Sequence, residues 1–206
     1  MEDVLDVYKR PRDPQRPLVC LDETSKQLLA DTRAPLPMKK GRPPRSDYEY
    51  KRHGTANLFM LFAPLEGRRY VKVTDHRSAV DYARMLEEIA DRLFADAEKI
   101  ILVQDNLNTH KPASLYEVFP PEKARRLVER FEWHYTPKHG SWLNMAESEL
   151  GILSDQCLDR HIPDQQLLAK EIKAWQAYRN QHCRKANWQF TTADARIRLR
   201  HLYPTF

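Results

Sequence analysis

Two stretches of the chain place a carboxylate where an apolar run stops, "LVCLDET" (18–24) and "LVQDNLNTH" (102–110), and a third, "YTPKHGSWLNMAESEL" (135–150), adds two glutamates. Asp22 follows the first run, and Asp105 follows the second 83 positions later. An Asp in either place could simply cap a turn, because Asp and Asn bond their own backbone. If the two strands are parallel neighbours, however, the carboxylates lie side by side. Such a pair repels itself more strongly as water is excluded, so it calls for a cation or a shared proton. A hard divalent metal with oxygen ligands, Mg²⁺ or Mn²⁺, suits that donor set. The third stretch offers Glu147 and Glu149 near the start of a helix, where backbone N–H groups favour negative charge. Two residues apart on a helix is about 160° around the axis, so only one can face the metals. Helical phase alone does not choose between them.

The elements that must position these acids read as an α/β layout. Runs at 17–23, 57–65 and 68–75 have strand character, and "KIILVQD" (99–105) has the unbroken apolar pattern of a central strand covered on both faces. "FEWHYTP" (131–137) alternates aromatic with polar residues, as a half-exposed strand does. Between them, Ala79, Ala83, Leu86, Ala90, Leu93 and Ala97 recur at steps of three and four, which predicts an amphipathic helix over 77–98. From 141 onward the pattern is helical, through Ala146, Leu150, Leu153 and Cys157, then Leu168, Ile172, Trp175 and Tyr178. The expected fold class is α/β with a mixed sheet, in which the ends of separated strands converge on one edge.

At 206 residues the chain can bury one substantial core. Thirty-four Lys and Arg against 29 Asp and Glu give a net charge of +5, a balance that permits a nucleic-acid partner without establishing one. Cys20, Cys157 and Cys183 lie far apart with no Cys-x-x-Cys pair, which excludes a zinc or redox motif and suits a reducing cytoplasm. No apolar run approaches the roughly 18 residues of a membrane span, and the charged, proline-bearing N-terminus is unlike a signal peptide.

In this order, "LVCLDET", "LVQDNLNTH" and "YTPKHGSWLNMAESEL" resemble the three acidic blocks of DDE transposases of the mariner superfamily, in its bacterial insertion-sequence branch. The family's third block reads Leu-Asn-x-x-Glu, which Leu143-Asn144-Met145-Ala146-Glu147 matches, so the resemblance selects Glu147 and leaves Glu149 as an expected solvated helix acid. "TTADARIRLRHLYP" (191–204) also resembles the ends of these proteins. The resemblance implies an RNase H-like (retroviral-integrase-like) five-stranded mixed sheet flanked by helices. It implies Asp22, Asp105 and Glu147 as catalytic metal ligands for two Mg²⁺ ions, with Mn²⁺ able to substitute. It implies cleavage of transposon ends and strand transfer into target DNA at TA, by a homodimer or higher assembly associated with the nucleoid. The expected organisation is a tail at 1–17, a catalytic domain at 18–160 and a C-terminal helical extension of the same domain at 161–206. Mariner-type transposases carry helix-turn-helix modules ahead of this domain, and about 17 residues cannot hold one. The chain therefore reads as a catalytic half, with those modules supplied by an upstream reading frame, or as a truncated copy.

The segment 32–54 reads as a basic loop in the place of the family's partner-reaching clamp. It carries Lys39, Lys40, Arg42, Arg45, Lys51 and Arg52, and its "KGRP" is similar to the Gly-Arg-Pro core that enters AT-rich minor grooves. A solvated, unengaged charge run is the competing reading. His110, Lys138, His139 and Trp142 complete the candidate DNA contacts: the histidines as groups orienting DNA or water, or else as satisfied structural residues, and Trp142 as a base-stacking surface or a core residue. Arg184, Lys185, Arg196, Arg198 and Arg200 are further candidates for phosphate. Two rival functions remain: a domesticated or degenerate copy that binds DNA or a partner without cutting, and another RNase H-like nuclease that resolves or repairs nucleic acid.

Overall fold

A computed structural model describes residues 1–33, 36–43 and 49–203. Five strands form one sheet: β1 (Leu18–Asp31), β2 (Tyr50–Ala63), β3 (Arg68–Thr74), β4 (Ile100–Gln104) and β5 (Phe131–Tyr135), in the order β3-β2-β1-β4-β5. The first three form an antiparallel meander, while β4 lies parallel to β1 and β5 parallel to β4. Successive residues of a strand face opposite sides, so β1 sends Val19 and Leu21 to one core and Leu18 and Cys20 to the other. As its unbroken apolar run predicts, β4 is buried along its whole length.

The core containing Val19 and Leu21 is covered by α2 (Ala79–Glu88), α3 (Ala113–Val118) and α4 (Pro121–Arg130). Ser78 and Asp81 start α2 with a capping box, two orphan N–H groups satisfied reciprocally. Beyond Glu88 a wider π turn runs from Ile89 to Leu93, so the regular stripe ends short of Ala97. The opposite core is covered by α1 (Glu2–Tyr8), α5 (Met145–Leu153), α6 (Gln165–Gln181) and α7 (Thr192–Arg198). α6 protects the outer edge of β3, an exposed strand edge being a template for unwanted pairing. Its Gln176 accepts from Val71 N (2.7 Å), while Asn180 both accepts from Arg69 N and donates to Arg69 O (2.8 Å each). In the β2–β3 turn Gly67 has φ +66°, and a Cβ there would stand 2.6 Å from the Cys183 backbone, which excludes other residues.

Several expectations are corrected. Residues 1–17 are not simply a tail, since α1 buries Val4, Leu5, Val7 and Tyr8 in the core. Two helices, α3 and α4, stand between β4 and β5 where the periodicity gave none. β1 does not end at Asp22: it continues to Asp31, paired with β2 back to Tyr50. Lys51 and Arg52 therefore sit on the exposed outer end of β2 rather than in the loop. In the loop itself Lys39, Lys40 and Arg42 are exposed, and Lys39 and Arg42 pair across a turn at Gly41. Arg45 lies outside the described residues. No helix among the described residues is long and apolar enough to cross a membrane.

Candidate active site

The parallel register sets Leu18 against Ile101, Val19 against Leu102 and Cys20 against Val103. Carried two residues further, it brings Asp22 opposite Asp105, just where β1 and β4 cease to pair. Beyond this point β1 follows β2 alone, and the sheet opens into a cleft of ≈ 460 Å³. Asp22, Asp105 and Glu147 all line that cleft, with Glu23, Lys26 and Ser141 among their neighbours.

Glu147 reaches it because the start of α5 is tied to β1. Asn144 caps the helix by accepting from Ala146 N (3.1 Å), and its amide donates to Leu21 O (2.9 Å), the residue before Asp22. From the other side the Tyr8 hydroxyl donates to Leu143 O (2.6 Å) and lies 3.5 Å from the Cys20 thiol. The first turn of α5 is thereby held beside β1, with Glu147 exposed into the cleft and in contact with Ser141 Oγ (3.4 Å). Glu149 faces the other way, as helical phase requires. It is not the solvated acid expected: it is 5 % exposed and held by Arg69 (2.6 and 2.7 Å) and Arg179 (3.1 and 3.2 Å).

His110 is 1 % exposed, which removes it from the DNA contacts. Its Nδ1 makes a short hydrogen bond to Asp105, and its Nε2 stands 3.1 Å from Glu23 Oε2. Its ring stacks on Tyr82 (centroids 4.7 Å), whose hydroxyl donates to Gln104 Oε1; the Gln104 amide in turn donates to His110 O. Burial alone would lower the His110 pKa, but the hydrogen bond to Asp105 and the neighbouring Glu23 carboxylate outweigh it and raise it to about 9. Glu23 was missed in the sequence. Its adjacency to Asp22 was visible, but its partner lies 87 positions away.

Asp22 is pushed up to about 7, chiefly by burial and further by the charges of Glu23, Asp105 and Glu147, against a hydrogen bond from Glu23 N (2.8 Å). The cleft thus gathers more negative charge than its cations offset. His110 is engaged with Asp105 and Glu23, and Lys26 donates to Leu158 O (2.6 Å). That undercompensated, all-oxygen donor set fits a hard divalent cation. As placed, the side chains line the cleft without closing on one point, and among the described residues no three such groups stand at ligand spacing.

Lys138 and His139 are exposed on the turn after β5, outside the cleft lining, His139 with φ 63°. Trp142, next to Ser141, is 43 % exposed and packs on Trp188 and Phe190. Arg196 is engaged by Glu2 (2.8 Å twice).

Two carboxylates where parallel strands part, with a third on a helix tied beside them, define a class. The family model of the DDE superfamily endonucleases matches residues 17–169, and the chain belongs to that family. Its RNase H-like fold is shared with solved structures of the Mos1 mariner transposase. The paired-end complex with Mn superposes with a TM-score of 0.60 at 17% identity, and the strand transfer complex with 0.58 at 17%. The paired-end complex with the left transposon end gives 0.57 at 18%. Each covers 89% of this chain, which spans only 54 to 56% of theirs. No curated protein sequence matches the chain.

Proposed function

We propose that the chain is the catalytic domain of a mariner-like DNA transposase, in which Asp22, Asp105 and Glu147 hold two divalent metal ions. The observation that carries this is the β1–β4 register, which opposes Asp22 to Asp105 at the mouth of a cleft that Glu147 also lines. Bound there, Mg²⁺ or Mn²⁺ supplies activation of the attacking oxygen and stabilisation of the leaving oxygen in displacement at phosphorus. The protein's own part is positional. Glu23 and His110 fix the Asp105 carboxylate, and Asn144 fixes the helix that presents Glu147, so the ligands meet the phosphodiester in a prepared geometry. The cleavage-competent reading is favoured over a DNA-binding relic by the presence of all three acids in one cleft. Membership of the endonuclease family and the likeness to Mos1 DNA complexes support DNA as substrate. Transfer at TA and assembly as a dimer or larger complex on DNA belong to the same reading.

The test is nicking of supercoiled plasmid in Mn²⁺. Wild type should nick, and Asp22→Asn, Asp105→Asn and Glu147→Gln should each lower the rate by about 10³-fold, the several kcal/mol that metal assistance supplies. Retention of nicking by Glu147→Gln at wild-type rate would remove the third ligand from the proposal.

A further inference from the structure

α5 separates two clefts of opposite charge. Across it from the acidic cleft lies a second, of ≈ 540 Å³, lined by Arg179, Arg184, Lys185, His182, Tyr178 and Trp188 among others. That volume is within the roughly 300–1,000 Å³ of ligand sites. Its lining includes a single carboxylate, Glu149, already held by Arg69 and Arg179. Arg184 and Lys185 have no ion-pair partner among the described residues, so the rim carries unspent positive charge.

An aromatic shelf joins this cleft to the acidic one around the start of α5. Trp188 lines the basic cleft and stacks on Trp142 with centroids 6.1 Å apart and planes 22° from parallel; Phe190 packs edge-on at 5.8 Å. Trp142 follows Ser141, which lines the acidic cleft, and keeps 43 % of its surface exposed. At the basic cleft Tyr178 is 62 % exposed with its ring against His182. Open aromatic faces beside unpaired cations form the recognition surface of single-stranded nucleic acid: bases stack on the rings while phosphates meet the cations. Paired bases keep their faces inside the duplex, so stacking selects an unpaired strand.

We propose that an unpaired DNA strand lies across this shelf, a base on Trp142 and a phosphate between Arg184 and Lys185. The inference deepens the transposase reading and rests on it, since breaking a strand in the acidic cleft leaves loosened nucleotides beside Trp142. The basic cleft needs no metal to attract phosphate, whereas the acidic cleft does, and this separates the two experimentally.

The probe is a fluorescein-labelled oligothymidine of about 12 nucleotides, within the roughly 4–16 of single-strand sites. Anisotropy is read in EDTA on the full chain, beside a hairpin duplex of equal length. Wild type should bind the strand without metal. Arg184→Glu with Lys185→Glu should weaken it at least about tenfold, as lost phosphate contacts do. Trp142→Ala should cost roughly tenfold and Trp142→Phe far less, in line with base stacking. Trp142→Phe and the charge-reversed pair should keep wild-type melting temperatures, and Trp142→Ala, which loses its packing on Trp188 and Phe190, is read well below its own melting point. Variant affinities equal to wild type overturn the proposal, and so does equal weakening on strand and duplex, which would mark a general basic face. Plasmid nicking by the same preparations keeps the readings apart. Nicking without strand binding removes the shelf and leaves the transposase, whereas strand binding by a wild type that never nicks removes the cleavage reading.

Discussion

Asp22 and His110 tie stability to pH in the same direction. Asp22 has a folded pKa near 7, above its unfolded value of about 3.9, so the folded state holds the proton more tightly. Without metal, stability should therefore fall as pH rises from about 4 to 7, by at most about 4 kcal/mol. His110, raised to about 9, adds stability that is complete below about 6.5 and lost as pH rises through 9. Metal-free melting temperatures should decline from pH 5 to 9. In Asp22→Asn the decline should be confined to the upper window, and a profile identical to wild type would mean that Asp22 is not the strained group. Mn²⁺ should raise the wild-type melting temperature at pH 7.5 more than at pH 5.5, because ligands must be ionised to bind. At this scale Asp22 and Asp105 were legible as carboxylates lining the cleft, because an acid ending an apolar run stands out locally, whereas Glu147 was separated from Glu149 only by the family resemblance. The Glu23–His110 support was not, since it exists only once β1 and the loop after β4 meet.

The element that most changes its meaning is α5, whose two glutamates serve opposite sides. Removing Glu149 leaves Arg69, with a side chain 1 % exposed, without its main counter-charge. Glu149→Ala should thus cost about 3–5 kcal/mol, and its nicking, measured well below its melting point, should persist. An unchanged melting temperature would mean that the pair is idle. α1 offers a second test. Leu5→Ala should cost about 2–5 kcal/mol as a core truncation, where a tail residue would stay within about 0.5. The five strands were legible in order and approximate place. α1 was not, because seven residues give too short a stripe. α4 hid for a different reason: of its ten residues only Ala124 and Leu127 are buried, although Pro121 marks its start. The outer half of β1 was missed because "TSKQLLAD" carries no alternation, its pairing being dictated by β2.

For the whole molecule, a net charge of +5, with Lys39, Lys40 and Arg42 exposed in the loop and Arg184 and Lys185 exposed at the basic cleft, favours phosphate contacts over base reading. Affinity of this chain for duplex DNA should drop steeply between low and physiological salt and barely distinguish terminal-repeat from scrambled sequence. A competition titration at two salt concentrations checks it; strong preference for one sequence would place end recognition here. The sheet also carries a built-in chemical clock. Cys20 is fully buried on β1, two residues before Asp22, and burial pushes its thiol up to about 12, whereas Cys183 is exposed. An alkylating reagent should mark Cys183 at once and Cys20 only when the central strand opens, at a rate that reports the free energy of opening. Mn²⁺ bound at Asp22 as proposed should slow the marking of Cys20 and leave that of Cys183 unchanged, so that mass spectrometry of these two thiols would record occupancy of the cleft with no DNA in the tube.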